Sequence, residues 1–107
     1  MTVPDNFSRS VILVVGGDAR QGDRRIGGTL IRAVASTKSG GTGEHRMVVA
    51  AVRGGNVKAV ILLVRWLGHS ESRAITSTCR SAGVRYRIVR TGMSAAWAIA
   101  REEVDRG

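Results

Sequence analysis

Two uninterrupted apolar runs constrain the fold of this chain more than any other feature. Val11 to Val15 and Ala59 to Val64 contain no polar residue, and most of their side chains are branched at Cβ. A strand that is apolar on both faces belongs inside a sheet that is covered on both sides, and such sheets are usually parallel. We therefore predict strands over residues 10–15 and 57–64, the second of them in a central position.

The segments around these strands predict helices and one further strand. Apolar residues recur at helical spacing over residues 24–37, 70–82 and 94–104. Residues 42–53 fit a helix better than the alternative, a strand over residues 47–52. Residues 84–89 alternate apolar and basic side chains, which is typical of a strand at the edge of a sheet.

Strands that are joined through helices run parallel, because the chain must cross back before it re-enters the sheet. The fold class is therefore α/β, with a small three- to four-stranded parallel, Rossmann-like sheet flanked by helices. We expect a single domain over residues 10–107 and a flexible N-terminus over residues 1–9. A sheet this narrow leaves its sides poorly covered, so we also expect a homodimer, joined through an edge strand or a terminal helix.

Several classes of protein are excluded by what the sequence lacks. No apolar run approaches the ~20 residues of a membrane span, and the first residues do not resemble a secretory signal. The single cysteine, Cys79, fits a reducing cytoplasm, and its place on the apolar stripe of a helix predicts a core residue. Glu103, in the last helix, is expected to face outward. No dinucleotide fingerprint, P-loop or metal-ligand spacing occurs, so we expect no cofactor and no metal.

The chain is strongly basic. It has 17 Lys and Arg residues against 8 Asp and Glu, a net charge of +9, and 15 of the basic residues are Arg. A GC-rich genome explains the ratio of Arg to Lys equally well, but it explains the net charge less well. Arg binds phosphate through a planar, bidentate group, so this charge favours nucleic acid or another polyanion as the partner.

The predicted topology also indicates where a ligand would bind. In open α/β sheets, ligands bind at the carboxyl ends of the strands, where loops lead into helix N-termini. The three loops that follow the predicted strands all combine glycine or hydroxyl residues with an arginine. The candidate phosphate-binding residues are Gly16, Gly17, Arg20, Arg65, His69, Ser70, Arg90, Thr91, Gly92 and Ser94.

The order of these short motifs resembles an uncharacterised bacterial family that is described only as a domain of unknown function. The likeness rests on the first strand ending in Gly16-Gly17, on Gly68-His69-Ser70 before a helix, and on Thr91-Gly92-Met93-Ser94 after the last strand. It implies a compact Rossmann-like domain, with His45 as a further matching position, and implies no activity. The chain departs from the family where His45 is followed by Arg46-Met47, and it lacks a His-Asp-Gly-Gly stretch.

We expect a non-enzymatic nucleic-acid-binding or regulatory protein whose arginine-rich surface holds phosphates. Further candidate contacts to nucleic acid are Arg24, Arg25, Arg85 and Arg87. The alternative is a sensor or hydrolase of a nucleotide or other phosphate ligand, with His69 as the catalytic residue if the protein is an enzyme. A third possibility is an accessory subunit whose basic surface docks an acidic protein.

Overall fold

The two apolar runs form neighbouring strands, β1 (Val11–Gly17) and β4 (Val57–Leu63), in a computed structural model of the protein. Every residue of Ile12 to Val15 and of Ala59 to Leu63 is at most 2% exposed. The two strands pair in parallel, with Val15 beside Leu62. The prediction that both runs are covered strands of a parallel sheet is confirmed.

The structure describes residues 11–17, 23–35 and 44–106, together with their side chains except those of Gly17, Ala35, Glu44, His45, Trp66 and His69. The other strands are β2 (Arg24–Ile26), β3 (Thr29–Ala35) and β5 (Arg85–Val89). The helices are α1 (Glu44–Arg53), α2 (His69–Ala82) and α3 (Met93–Arg106). Residues 1–9, predicted to be a flexible N-terminus, lie outside the described residues.

The sheet has five strands in the order β2-β3-β1-β4-β5. Strands β3, β1, β4 and β5 run parallel to one another, and β2 is antiparallel to β3. The α/β class is thus confirmed, with a wider sheet than the three or four strands predicted. The helices predicted over residues 42–53, 70–82 and 94–104 and the edge strand over residues 84–89 are also confirmed.

The helix predicted over residues 24–37 is wrong, because this segment forms the β2–β3 hairpin. Gly27 and Gly28 have φ angles of +55° and +86°, the positive values that both central residues of a type I′ turn require. Ile31 of β3 then pairs with Ile12 of the buried strand β1, which gives the segment a covered face. Apolar residues at helical spacing occur here, but the Gly-Gly turn and the burial of a strand beside β1 determine the structure.

The helices cover both faces of the sheet. Helices α1 and α2 pack on one face, where Val48 and Val52 of α1 and Ile75 and Cys79 of α2 are buried. Helix α3 packs on the other face through Ala96 and Ala100. None of the three described helices has both the length and the apolar composition needed to cross a membrane.

Glu103 does not face outward as predicted, since it is 0% exposed. Together with Ala96 and Ala100 it forms the buried stripe of α3, at the i, i+4 and i+7 positions that share one side of a helix. The sheet surface opposite this stripe carries Arg85 and Arg87 of β5, which bind the carboxylate. Burial of Glu103 is therefore compensated by charge, in the way that buried carboxylates require.

Candidate phosphate-binding edge

The carboxyl ends of β1, β4 and β5 lie at one edge of the sheet, which we call the carboxyl edge. The parallel register places Val15 beside Leu62 and Leu62 beside Ile88. The three loops with predicted phosphate-binding residues follow these strands directly. Residues 18–22, which include Arg20, lie outside the described part of the chain.

At this edge, Gly16 allows β1 and the segment after β4 to pack closely. Its φ is +102°, and a Cβ placed there would lie 2.8 Å from the main-chain oxygen of Leu63 and 3.0 Å from Cγ of Leu67. Real Cβ atoms are not found at such distances from backbone atoms. This packing accounts for glycine at position 16 without a ligand, and Gly17 is the last residue of β1.

Helix α2 begins at the carboxyl edge and is capped by its own carboxylate. Gly68 is the N-cap residue, and its N–H donates a hydrogen bond of 3.3 Å to Oε1 of Glu71. Glu71 is 7% exposed, whereas the predicted ligand residue Ser70 is exposed. His69 is the first residue of α2, and its side chain lies outside the described part. The positive charge at this helix N-terminus is therefore already matched by an acidic group.

Helix α3 also begins at the carboxyl edge, and its first turn carries no acidic residue. The N–H of Ala96 donates to the carbonyl oxygen of Gly92, which precedes the helix. The first N–H groups of an α-helix have no acceptor within the helix, so they can bind an anion. Thr91 and Ser94 are exposed on either side of this helix start.

Four arginines from different segments lie at or next to the carboxyl edge, and we call them the arginine rim. Arg46 lies in the first turn of α1 and Arg73 in the second turn of α2, while Arg65 follows β4 and Arg90 follows β5. All four side chains are exposed. Arg46, Arg73 and Arg90 make no ion pair with any side chain that the structure describes.

The opposite edge also holds cations, and several of them contact groups within the protein. Arg85 Nε lies 2.9 Å from Glu103 Oε1, and Arg87 Nη1 lies 3.1 Å from Glu103 Oε2 and 3.5 Å from Glu102 Oε1. Arg106 is 3.6 Å from the same buried carboxylate. The hydrogen bonds and charges of these arginines outweigh desolvation by burial, and they hold the pKa of Glu103 below its ordinary value.

Lys58 at this opposite edge is also engaged, since its Nζ donates to the carbonyl oxygen of Val104 at 3.2 Å. Helices α1, α2 and α3 all end here, and helix C-termini carry partial negative charge. Arg85, Arg87, Arg106 and Lys58 therefore have acceptors within the protein, whereas Arg46, Arg73 and Arg90 of the rim make no ion pair among the described side chains.

The structure does not bring the four other predicted nucleic-acid contacts together. Arg24 and Arg25 lie on β2 and Arg85 and Arg87 on β5, at opposite sides of the five-stranded sheet. The guanidinium of Arg24 lies 4.1 Å from the centroid of the Trp97 ring, a cation–π contact. Arg25 is exposed.

Arg46 and Arg73 are absent from the predicted phosphate-binding residues, because those residues were taken from the loops that follow the predicted strands. The signal that would have found them is their place near the start of helices that follow parallel strands, since such helices begin at the carboxyl edge. Cys79 is buried as predicted, and burial raises the pKa of its thiol to about 11.

No group of three or more His, Cys, Asp and Glu side chains that could hold a metal ion occurs among the described residues. Comparisons with protein-family models, with curated proteins and with solved structures give no match for this chain. The resemblance to the uncharacterised bacterial family therefore stays a prediction.

Proposed function

We propose that this protein binds nucleic acid through the carboxyl edge of its sheet, with the arginine rim on the phosphates. The observation that carries the proposal is the contrast between the two edges. At the opposite edge, Arg85, Arg87 and Arg106 are held by Glu103, whereas Arg46, Arg73 and Arg90 have no acidic partner among the described side chains. Glu71, the carboxylate described at the carboxyl edge, is buried as a helix cap.

The width of the rim supports a polymer rather than a single small anion. Packed helices such as α1 and α2 lie roughly 8–10 Å apart. Arg90 directly follows β5, the outermost strand of the sheet. Cations spread over more than ~10 Å meet several phosphates of a nucleic acid at once. The start of α3, with Thr91 and Ser94 exposed and no acidic residue in its first turn, adds a contact of the kind that positions a phosphate.

The experiment is a titration of labelled 20-nucleotide single- and double-stranded DNA and RNA, followed by fluorescence anisotropy at several salt concentrations. Four arginines on duplex phosphates give a slope of log K against log salt of about −3.6, and about −2.8 on a single strand. The double variant Arg73→Ala/Arg90→Ala should reduce the magnitude of that slope by about 2 and weaken binding at least tenfold.

The matched control is Arg53→Ala/Arg101→Ala, which removes two exposed arginines outside the rim. Both double variants have a net charge of 9 − 2 = +7, so they differ only in where the charge is lost. Equal loss of binding in the two variants would show that total charge, not the rim, attracts the polymer. Tight binding of mononucleotides, detected as thermal stabilisation, with no binding of 20-nucleotide strands would favour a small-ligand sensor instead.

A further inference from the structure

Strand β5 is an edge strand with an uncovered apolar side chain. It is the last strand of the sheet, and no strand pairs with its outer side in the described part of the chain. Ile88 is 47% exposed and, with Met47, is one of the two large apolar side chains exposed among the described residues. Ile88 lies on the sheet face that α2 covers elsewhere, and Tyr86, on the same face, packs against the core.

The β5 side of the molecule also carries carboxylates that pair with its arginines. Arg85 and Arg87 point toward α3, where Glu102 and Glu103 pair with them. Two copies of a chain that carries +9 repel each other, and this repulsion is weakest where carboxylates offset the arginines. Edge-strand arginines normally discourage pairing with another strand, but here both arginines of β5 already form ion pairs with carboxylates of α3.

We propose that β5 pairs antiparallel with β5 of a second copy of this chain, about a two-fold axis at Arg87. Directly opposite residues of an antiparallel pair lie on the same face of the sheet, so Tyr86 contacts Ile88 of the second copy and the reverse. This aromatic and β-branched pair covers the exposed isoleucine. Arg85 lies opposite Val89 of the second copy, on the face of α3.

The register follows from the strand itself. A shift of one residue would place a residue of the α2 face of one copy opposite a residue of the α3 face of the other. We exclude this register because α2 and α3 cover different faces of the sheet. Among registers that keep the faces matched, only a two-fold at Arg87 pairs all five residues of Arg85–Val89. The two Arg87 side chains then lie opposite each other, each beside its own Glu102 and Glu103.

The test is sedimentation velocity of the full chain from 5 to 300 μM without nucleic acid, so its outcome is independent of the function proposed above. We expect a concentration-dependent dimer. Ile88→Lys should weaken the dimer at least tenfold, while Met47→Lys, which adds the same charge at the other exposed apolar residue, should not. A monomer throughout the range, or equal effects of the two variants, would overturn the proposal.

Cross-linking tests the register. Directly opposed residues have Cα atoms about 4.5–5.5 Å apart, within the range of a disulfide. A mixture of Tyr86→Cys and Ile88→Cys should therefore oxidise to a covalent heterodimer, while each variant alone stays monomeric on a non-reducing gel. The native Cys79 is 0% exposed and does not compete. Cross-linking of Ile88→Cys to itself would refute a two-fold at Arg87.

Discussion

Replacement of Glu103 by glutamine tests how the last helix is held on the sheet. The carboxylate accepts one hydrogen bond from Arg85 at 2.9 Å and one from Arg87 at 3.1 Å. A hydrogen bond to a charged group contributes roughly 1.5–3 kcal/mol. The two arginine side chains are 49% and 32% exposed, so water replaces part of what they lose. We therefore expect Glu103→Gln to lower the free energy of unfolding by about 2 kcal/mol.

The assay is urea and thermal unfolding followed by circular dichroism, with Glu102→Gln as the control. Glu102 is 62% exposed and lies 3.5 Å from Arg87, so its loss should cost less than about 0.5 kcal/mol. For a domain of this size, about 2 kcal/mol corresponds to a fall in Tm of roughly 10 °C. Equal destabilisation by the two glutamine variants would refute the assignment of Glu103 as the main anchor.

The pH dependence gives an independent check of the same carboxylate. The folded protein holds the pKa of Glu103 below 4.5, the ordinary value for a glutamate. A carboxyl whose pKa is lowered by folding stabilises the fold above its unfolded pKa, and that contribution disappears as the pH falls through the folded pKa. The difference in stability between the wild type and Glu103→Gln should therefore be constant from pH 7 to about pH 5 and shrink below that. A difference that stays unchanged down to pH 2.5 would contradict this reasoning.

Three further substitutions or measurements test separate features of the fold. Gly16→Ala should lower the free energy of unfolding in urea by about 3 kcal/mol, because the new Cβ would overlap a main-chain oxygen. Gly55→Ala is the control: Gly55 has a φ of +79° but open space around it, so the substitution should cost only about 1 kcal/mol. Cys79, with a thiol pKa of about 11, should not react with Ellman's reagent at pH 8 until denaturant is added; reaction in native buffer would contradict its burial. Arg24→Ala should lower the free energy of unfolding by about 0.5–1 kcal/mol, because it removes the contact with the indole ring of Trp97 in α3. Arg25 lies on the other face of β2, so Arg25→Ala should leave the stability almost unchanged. Equal urea midpoints for the two variants would argue against the cation–π contact.

The parts of the fold that the sequence predicted correctly are those where burial and local pattern agree. Val11 to Val15 can be covered on both faces only inside a sheet, and Gly83 ends α2 with a φ of +70°. The β2–β3 hairpin was missed because Ile26 and Leu30 fit a helix and a hairpin equally well. Gly27-Gly28 decides between the two, since two glycines between apolar runs form the two-residue turn.

The sequence predicts where the candidate site lies, but it does not predict which arginines belong to it. Parallel strands end at the same edge, so the loops after β1, β4 and β5 had to start there. Which arginines would be free at that edge depends on contacts distant in sequence, such as the one between Arg87 and Glu103, which are 16 residues apart. No local pattern marks a glutamate for burial when its partners lie on a neighbouring strand.

All three described helices point the same way along the strands, and this alignment gives the protomer a permanent electric dipole. Each peptide unit contributes about 3.5 debye, so helices of 10, 14 and 14 residues sum to roughly 130 debye, with the positive pole at the carboxyl edge. An isolated protomer near a polyanion therefore experiences a torque that turns this pole forward before contact. Two protomers related by an axis perpendicular to their strands would cancel each other's moments and present their positive poles in opposite directions.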